Sequence, residues 1–427
     1  MQQKVIIVGA GFAGLKLARK LANKDFEVLL IDRNNHHQFQ PLFYQVAAAN
    51  LEPSAISFPL RKVFQDKENV RIRVAEVQKI INADKILQTS IGNFHYDLLV
   101  IATGATTNFF GNATIEQFAF PMKSTVEAVK LRQHILENFE EATYATDERR
   151  KKLFNLVIAG GGATGVELAG SLAEMKKNIL PKDYPDFDFR LVNIILIEGG
   201  NETLGPMSKK SQEKSKEYLE AMGVKIMLQT RVNNYDGEIV TLSNGETIPS
   251  NTLIWSAGIK GNVLDGLTNA KIERGNRIVV DRNCRLEGYE NIFAIGDIAS
   301  MVTEKYPQGH PQVANVAMSM AGYLADYLSA VDKNKDPFEY KDKGSMATVG
   351  KNKAVVDLPF VSFQGFFAWI VWMFLHVLLL MGMKNRVQVF INWVYAYFTN
   401  DSSLRLIFKN LYKKPKTVEP EIAPVVL

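Results

Sequence analysis

The stretch VIIVGAGFAGLKLARKL (Val5–Leu21), continued by DFEVLLID (Asp25–Asp32), decides the fold of this chain. Four consecutive aliphatics, Val5 to Val8, predict a buried strand. Gly9, Gly11 and Gly14 follow in the spacing G-x-G-x-x-G, and Leu15, Ala18 and Leu21 recur at helical spacing before a second strand, Val28 to Ile31, ends in Asp32. Each position answers a physical need. Gly9 permits the tight turn out of the strand, Gly11 lets the backbone approach a pyrophosphate, and Gly14 lets the helix pack against the strand. The helix N-terminus offers free N–H groups and a positive dipole end to the phosphates. Asp32 is placed to accept hydrogen bonds from an adenosine ribose. Glycines alone turn chains for many reasons. Here the strand before them, the helix after them and an acid about 20 residues on together specify a dinucleotide-binding unit.

The pattern comes twice. FNLVIA (Phe154–Ala159) is a strand, Gly160, Gly162 and Gly165 repeat the spacing, VELAGSLAE (Val166–Glu174) continues as a helix, and a strand from Val192 to Ile197 ends in Glu198. An insertion from Lys176 to Arg190, with Pro181 and Pro185, is expected between that helix and that strand. Two units imply two dinucleotides, since each holds one pyrophosphate. An acid at both strand ends favours an unphosphorylated ribose. LLVIATG (Leu98–Gly104) is a strand running into a tight turn at Thr103 and Gly104, and LIWSAG (Leu253–Gly258) repeats that shape late in the second unit. NIFAIGD (Asn291–Asp297) is a further strand, ending in Gly296 and Asp297. A mostly polar helix from Ser124 to about Glu148 reads as a connector.

A chain of 427 residues accommodates two or three domains, and 47% hydrophobic with 22% charged residues excludes a disordered protein. A single cysteine, Cys284, excludes an intramolecular disulfide framework and a cysteine-based metal cluster. The chain enters a strand within a few residues of Met1, so retention in a bacterial cytoplasm is the expectation. The net charge of +5 is unevenly spread: Lys384, Arg386, Arg405, Lys409, Lys413, Lys414 and Lys416 face one acid, Asp401. No nucleic-acid module accompanies them, so a membrane surface is the better partner and no nucleic acid is expected.

The segment beside that cluster, Phe360 to Met383, is almost wholly apolar and long enough to be a transmembrane candidate. Val387, Phe390, Ile391, Val394, Tyr395 and Phe398 then share one helical face opposite Asn385, Gln388 and Asn392, and Leu404, Ile407, Phe408 and Leu411 repeat that pattern. Amphipathic helices carrying aromatic and basic residues suit a protein lying in the membrane interface. Three readings of the apolar run stay open: a buried core or dimer helix, a spanning helix, and a monotopic anchor. It holds no charged residue, hence no intramembrane proton path, and no ion pumping is expected.

These motifs together resemble the two-dinucleotide flavoprotein superfamily, and within it the type II (single-subunit, non-pumping) NADH:quinone oxidoreductases. The resemblance rests on Asp32 through His36 and His37 to QPLFYQVA (Gln40–Ala47), ATGATTNFFG (Ala102–Gly111) and GATGVELAG (Gly162–Gly170), continuing through GDIA (Gly296–Ala299), PQVA (Pro311–Ala314) and Phe366 and Trp369 on to Lys384 and Arg386. One departure is visible. The family's A-Q-x-x-x-Q pattern is here Pro311-Gln312, with Val316 at the second Gln position.

The resemblance implies an α/β fold with two Rossmann-like domains, the first discontinuous, and an α-rich C-terminal membrane-binding region. The expected boundaries are 1–115 with 281–335 for FAD, 116–280 for NADH, and 336–427 for membrane anchoring and dimerisation. Non-covalent FAD would meet Gly9, Gly11, Gly14, Asp32, Thr103, Gly104, Gly296 and Asp297; NADH would meet Gly160, Gly162, Gly165, Glu198 and Gly258. Glu167 resembles the family's acid near the nicotinamide, against a reading as a first-turn carboxylate complementing the helix dipole. Gln312 resembles the residue whose amide meets a quinone carbonyl, against a structural amide beside the flavin. Val316 would lie along the quinone path, and Tyr44 and Gln45 along the quinone path or beside the flavin, with packing as an equal alternative for those two.

Adjacent His36 and His37 lack partners at ligand spacing and read as structural or flavin-side, so no metal is expected; His310 and His376 receive no role. Asp332 to Asp336 begins like a calcium loop, but Pro337 replaces the required Gly and Lys343 the bidentate Glu. One cysteine excludes the redox pair that disulfide reductases use and the cysteines that sulfide:quinone reductases use. The expected activity is hydride transfer from NADH to FAD and then electron transfer to a membrane quinone, by a homodimer lying peripherally on the cytoplasmic side of the bacterial inner membrane. Two rivals stay open: a reductase passing electrons to oxygen or a carrier protein, and an NADH-responsive flavoprotein that binds a partner.

Overall fold

Both glycine-turn units form the parallel sheets that their uninterrupted aliphatic runs require, because a strand covered by helices on both faces has no polar side. The structure, a computed structural model, describes residues 2–330 and 336–407 of the 427. In the first sheet the order from edge to edge is Ile292–Ala294, Leu98–Ile101, Gln3–Val8, Phe26–Asp32 and Val70–Val74, all parallel. One edge strand therefore arrives from beyond the second unit. The second sheet runs Phe120–Pro121, Thr252–Trp255, Asn155–Ala159, Asn193–Ile197 and Val224–Met227, again all parallel. Each sheet puts its glycine-turn strand in the middle with the acid-bearing strand beside it. Strand order reverses at that middle strand, which opens a crevice at the carboxyl ends.

The helix Phe12–Leu21 buries Leu15, Leu17, Ala18 and Leu21 and packs against Ala314–Ser329, so the resumed part of the chain closes the first layer. The expected polar connector is a helix over Thr125–Ala142, capped by Ser124 Oγ, which accepts from Glu127 N–H at 3.2 Å, and a separate helix over Asp147–Phe154. The longer one is not simply polar: Ala128, Leu131, Ile135, Leu136 and Phe139 face the core. The expected insertion after Glu174 begins as a continuation of its helix, through a π-helical turn (Met175–Ile179) and a short helix (Leu180–Asp183).

The apolar run beyond Phe360 is not one helix. Val361–Gly365 is the last strand of a three-stranded antiparallel sheet with Ser345–Thr348 and Ala354–Leu358. Gly365, at φ 89°, turns the chain into a 14-residue helix, Phe366–Leu379, hereafter the aromatic helix. At 1.5 Å per residue it extends about 21 Å, short of the roughly 30 Å hydrocarbon layer. Among the described residues no helix is long and apolar enough to cross a membrane. The spanning reading therefore does not hold.

A second turn at Gly382 leads into the amphipathic helix Met383–Thr399. Its polar face is the inner one: Asn385 is buried and donates to the carbonyls of Ser54 (3.3 Å) and Ser57 (2.9 Å). Its apolar face points outward, with Phe390 53% and Phe398 78% exposed. The aromatic helix buries Ala368, Trp372 and His376 and likewise exposes Phe366, Phe367 and Phe374. A soluble surface would present the reverse pattern.

Residues 404–407 form no helix, and Phe408, Leu411 and the basic residues Lys409, Lys413, Lys414 and Lys416 lie outside the described residues. Two members of the basic cluster are engaged internally. Arg386 donates to the carbonyls of Leu380 and Leu378, and Arg405 pairs with Asp183 and Asp401. Most of the calcium-like stretch, residues 331–335, is also outside the described residues.

Candidate active site

The two glycine turns are built alike. At Gly9, φ is 99°, and a Cβ there would collide with the Ala102 carbonyl; a Cβ on Gly14 would overlap the Gly9 carbonyl oxygen. Gly11 faces open space. Gly160, at φ 108°, would strike the Ser256 carbonyl, Gly165 is pressed onto Gly160, and Gly162 faces open space. Each turn thus has two glycines required by close backbone approach and one that leaves room for a ligand. The acids are oriented in parallel fashion. Asp32 accepts from Ala10 N–H and Asn34 N–H, both at 2.7 Å, and Glu198 accepts from Gly161 N–H and Gly200 N–H, both at 2.6 Å. A carboxylate held by two backbone amides at a strand end is aimed at the neighbouring turn, where a ribose would lie.

A cavity of about 1610 Å³ runs from the first turn to the aromatic helix; Ala163 and Thr164 line it beyond the second turn, whereas Gly160, Gly162, Gly165 and Glu198 do not. Gly9, Gly11, Asp32, Thr103 and Gly104 line one end, with Gly296, Asp297 and Gln312 beside them. The second unit contributes Glu167, Trp255 and Gly258, and the far wall is Leu375, His376, Leu379 and Met381. These dimensions and this donor set fit an extended dinucleotide lying across the first sheet. Thr103 Oγ1 donates to the Asn262 carbonyl at 2.7 Å, which ties its hydroxyl to the second unit. At Gly258 a Cβ would stand 2.8 Å from the tip of the exposed Phe110 ring, so a larger residue there would push that ring aside.

Glu167 lies on the second turn of its helix and is buried, so it does not serve as a first-turn dipole complement. Burial pushes its carboxyl up to about 8, and the Thr348 N–H at 3.4 Å only partly offsets that. The Trp372 indole N–H also favours the charged form, although it falls outside hydrogen-bond geometry. Asp297 is likewise raised by burial, with Lys123 and Arg277 pulling the other way. Gln312 does not hang free: its Nε2 donates to the Asp297 carbonyl at 2.8 Å, leaving Oε1 and one N–H uncommitted.

Tyr44, Gln45 and Val316 are buried and do not line the cavity. Val316 belongs to the core of the first sheet. Gln45 is held at both ends, its Nε2 donating to Tyr44 Oη at 2.8 Å and its Oε1 accepting from Trp393 Nε1 at 2.7 Å, and this pins the amphipathic helix to the QPLFYQVA segment. His37 is buried with Nδ1 3.0 Å from the Ala10 carbonyl, and burial lowers its affinity for a proton; it braces the first glycine turn.

Sequence reasoning missed Trp372 and His376. The signal was available: they stand four residues apart and fall, with Ala368, on one helical face of the apolar run, which marks the inward side.

Two family models cover most of the chain. The pyridine nucleotide-disulphide oxidoreductase model matches residues 3–321, and the NDH2 C-terminal domain model matches residues 343–400. The type II NADH:quinone oxidoreductase Ndh of Mycobacterium tuberculosis is 34% identical over 416 residues, covering 93% of this chain and 89% of that protein. The NdhA protein of the same organism, also a type II NADH:quinone oxidoreductase, is 32% identical over 92% of this chain and 86% of its own length. Among solved structures, NDH2 from Plasmodium falciparum in complex with NADH superposes with a TM-score of 0.88 at 22% identity, covering 96% of this chain and 100% of that one. Sulfide:quinone oxidoreductase from Aquifex aeolicus shares the fold more distantly, with a TM-score of 0.71 at 19% identity over 93% and 95% of the two chains. This chain belongs to the pyridine nucleotide-disulphide oxidoreductase family and, within it, to the type II NADH:quinone oxidoreductases.

Proposed function

We propose that this protein is a membrane-associated flavoenzyme that oxidises NADH and reduces a membrane quinone without moving protons across the bilayer. The observation that carries this reading is one cavity that joins the first ribose-directed glycine turn, and the helix start just beyond the second at Ala163, Thr164 and Glu167, to a wall formed by the outward-apolar aromatic helix. Residues 1–115 and 281–335 would hold FAD non-covalently, through the turn at Gly9, Gly11 and Gly14, the Asp32 carboxylate, Thr103, Gly104, Gly296 and Asp297. Residues 116–280 would hold NADH, through Gly160, Gly162, Gly165, Glu198 and Gly258. When bound, the flavin supplies a two-electron relay between nicotinamide and quinone.

The chain's own residues bind and orient the two substrates and supply a proton. The turns seat the pyrophosphates on helix N-termini, and the acids select unphosphorylated ribose. Reduction of the quinone consumes one hydride from NADH and one proton from the medium. Glu167, neutral at pH 7, holds a proton on its carboxyl in the cavity wall and is suited to give it up and regain it. Gln312, fixed by the Asp297 carbonyl, offers its second N–H to a quinone oxygen.

Residues 336–427 would seat the enzyme as a homodimer on the cytoplasmic face of a bacterial inner membrane, with the exposed aromatic side chains in the lipid interface and basic residues toward anionic headgroups. There it would feed electrons into a respiratory chain. Anaerobic NADH consumption by the yellow protein, with and without a short-chain quinone and with and without lipid, tests the reading. Fast quinone-dependent turnover that lipid enhances and that Gln312→Ala depresses supports it. Bleaching by NADH with no turnover on any quinone removes it in favour of a partner-binding flavoprotein.

A further inference from the structure

His376 is the polar residue of an otherwise apolar helix face, and its two ring nitrogens are in different situations. Nδ1 lies 2.7 Å from the Trp372 carbonyl. A carbonyl only accepts, so Nδ1 carries the hydrogen and Nε2 of the neutral ring is a bare acceptor. The ring is clamped in that orientation, stacked on Trp372 at 3.9 Å between centroids and edge-on to Phe39 at 6.2 Å. Burial lowers its basicity to about 4, so it stays neutral across the physiological range. Nε2 has no hydrogen-bond partner among the described residues, yet it is not sealed off as both ring nitrogens of His310 are. His376 forms part of the cavity wall, with Phe39, Glu167 and Gln312.

The two forms of a quinone differ in what they offer such an acceptor. The oxidised ring presents two carbonyl oxygens, which only accept; the reduced ring presents two hydroxyls, which donate. We propose that His376 Nε2 accepts a hydrogen bond from a hydroxyl of the reduced quinone, so that this wall of the cavity discriminates hydroquinone from quinone. Glu167 and Gln312 offer donors to the oxidised ring, and His376 adds the complementary acceptor that only the reduced ring satisfies. The contact strengthens as the reaction proceeds, so it favours the forward electron transfer and retains the product. The inference rests on the proposed quinone reductase activity.

The test uses the flavin-loaded full chain under anaerobic conditions, with one short-chain quinone as acceptor and its own hydroquinone as inhibitor. His376→Phe keeps the ring stacking and removes the acceptor, and His376→Gln places an amide oxygen near the position of Nε2. The Phe variant should raise the inhibition constant of hydroquinone by about fivefold to tenfold, the worth of one hydrogen bond, while leaving the KM for quinone and the bleaching by NADH unchanged. The Gln variant should restore the inhibition constant. A parallel change in both constants, or an inhibition constant that does not move in the Phe variant, overturns the assignment. Absence of quinone-dependent turnover in the unaltered protein is a separate result that removes the proposed function and this assignment with it.

Discussion

Replacing Glu167 by Gln should make the protein more stable and less active, by amounts set by where that carboxyl sits. Burial raises its folded-state value from an ordinary 4.5 to about 8. At pH 7 the folded protein therefore keeps the carboxyl protonated, whereas the unfolded chain ionises it, and folding takes up a proton. The penalty is absent below the unfolded value, grows by about 1.4 kcal/mol per pH unit as pH rises toward the folded one, and is constant above it. At pH 7 it amounts to about 3 kcal/mol. Gln has nearly the same shape and does not ionise, so its advantage follows the same curve. With roughly 0.9 kcal/mol/K of unfolding entropy for a chain of this length, the melting temperature should rise by about 3–4 °C at pH 7. The gain should be larger at pH 8 and nearly vanish at pH 5. Thermal unfolding of the flavin-loaded protein at the three pH values, followed by circular dichroism, measures it. Quinone-dependent turnover should fall at least about tenfold in the same variant, since the proton held in the cavity is gone. A variant no more stable at pH 8 than at pH 5, relative to the unaltered protein, would refute the reasoning.

Three further outcomes follow from other parts of the structure. Glu198→Gln removes the charge that two backbone amides orient, and should raise the KM for NADH about tenfold and weaken the preference over NADPH, with the KM for quinone unchanged in steady-state assays. Trp393→Phe leaves the buried Oε1 of Gln45 without its donor and should cost about 1–3 kcal/mol, read as a lower melting temperature in a protein that NADH still bleaches. Phe390→Ser combined with Phe398→Ser strips two exposed rings from the amphipathic helix and should weaken co-sedimentation with anionic vesicles about tenfold or more, while activity on a water-soluble quinone persists.

The two Rossmann units were legible because most of their signal is local. Gly14 is pressed onto Gly9 and Gly165 onto Gly160, five residues apart in each unit, whereas the approaches of Gly9 to Ala102 and of Gly160 to Ser256 come from strands far along the chain. The C-terminal region was less legible because apolar content does not report how a chain is folded. Phe360 to Met383 reads as one hydrophobic block, and only the turn at Gly365 and the pairing of Val361–Gly365 with Ala354–Leu358 divide it. The outward direction of the amphipathic helix was anticipated only through its interfacial reading, since nothing local fixes it. Its two faces are plain in the sequence, but that the Asn385 side is the buried one depends on the carbonyls of Ser54 and Ser57, more than three hundred residues away.

At Tyr44 and Gln45 the sequence left a cofactor-side role and packing both open, and the structure shows polar groups consumed by each other and by Trp393, outside the cavity lining. His376 carried no motif. Its position becomes informative only once Trp372, Phe39 and the cavity are assembled around it.

The central claim, that electrons pass from NADH through this cavity to a quinone, is tested most directly by rapid mixing in two stages without oxygen. NADH is added first and flavin bleaching followed, and a short-chain quinone is added second. Fast bleaching is expected, then return of the yellow colour on quinone, with one hydroquinone formed per NADH consumed. Flavin that stays bleached in the presence of quinone and recovers only when oxygen is admitted would contradict it.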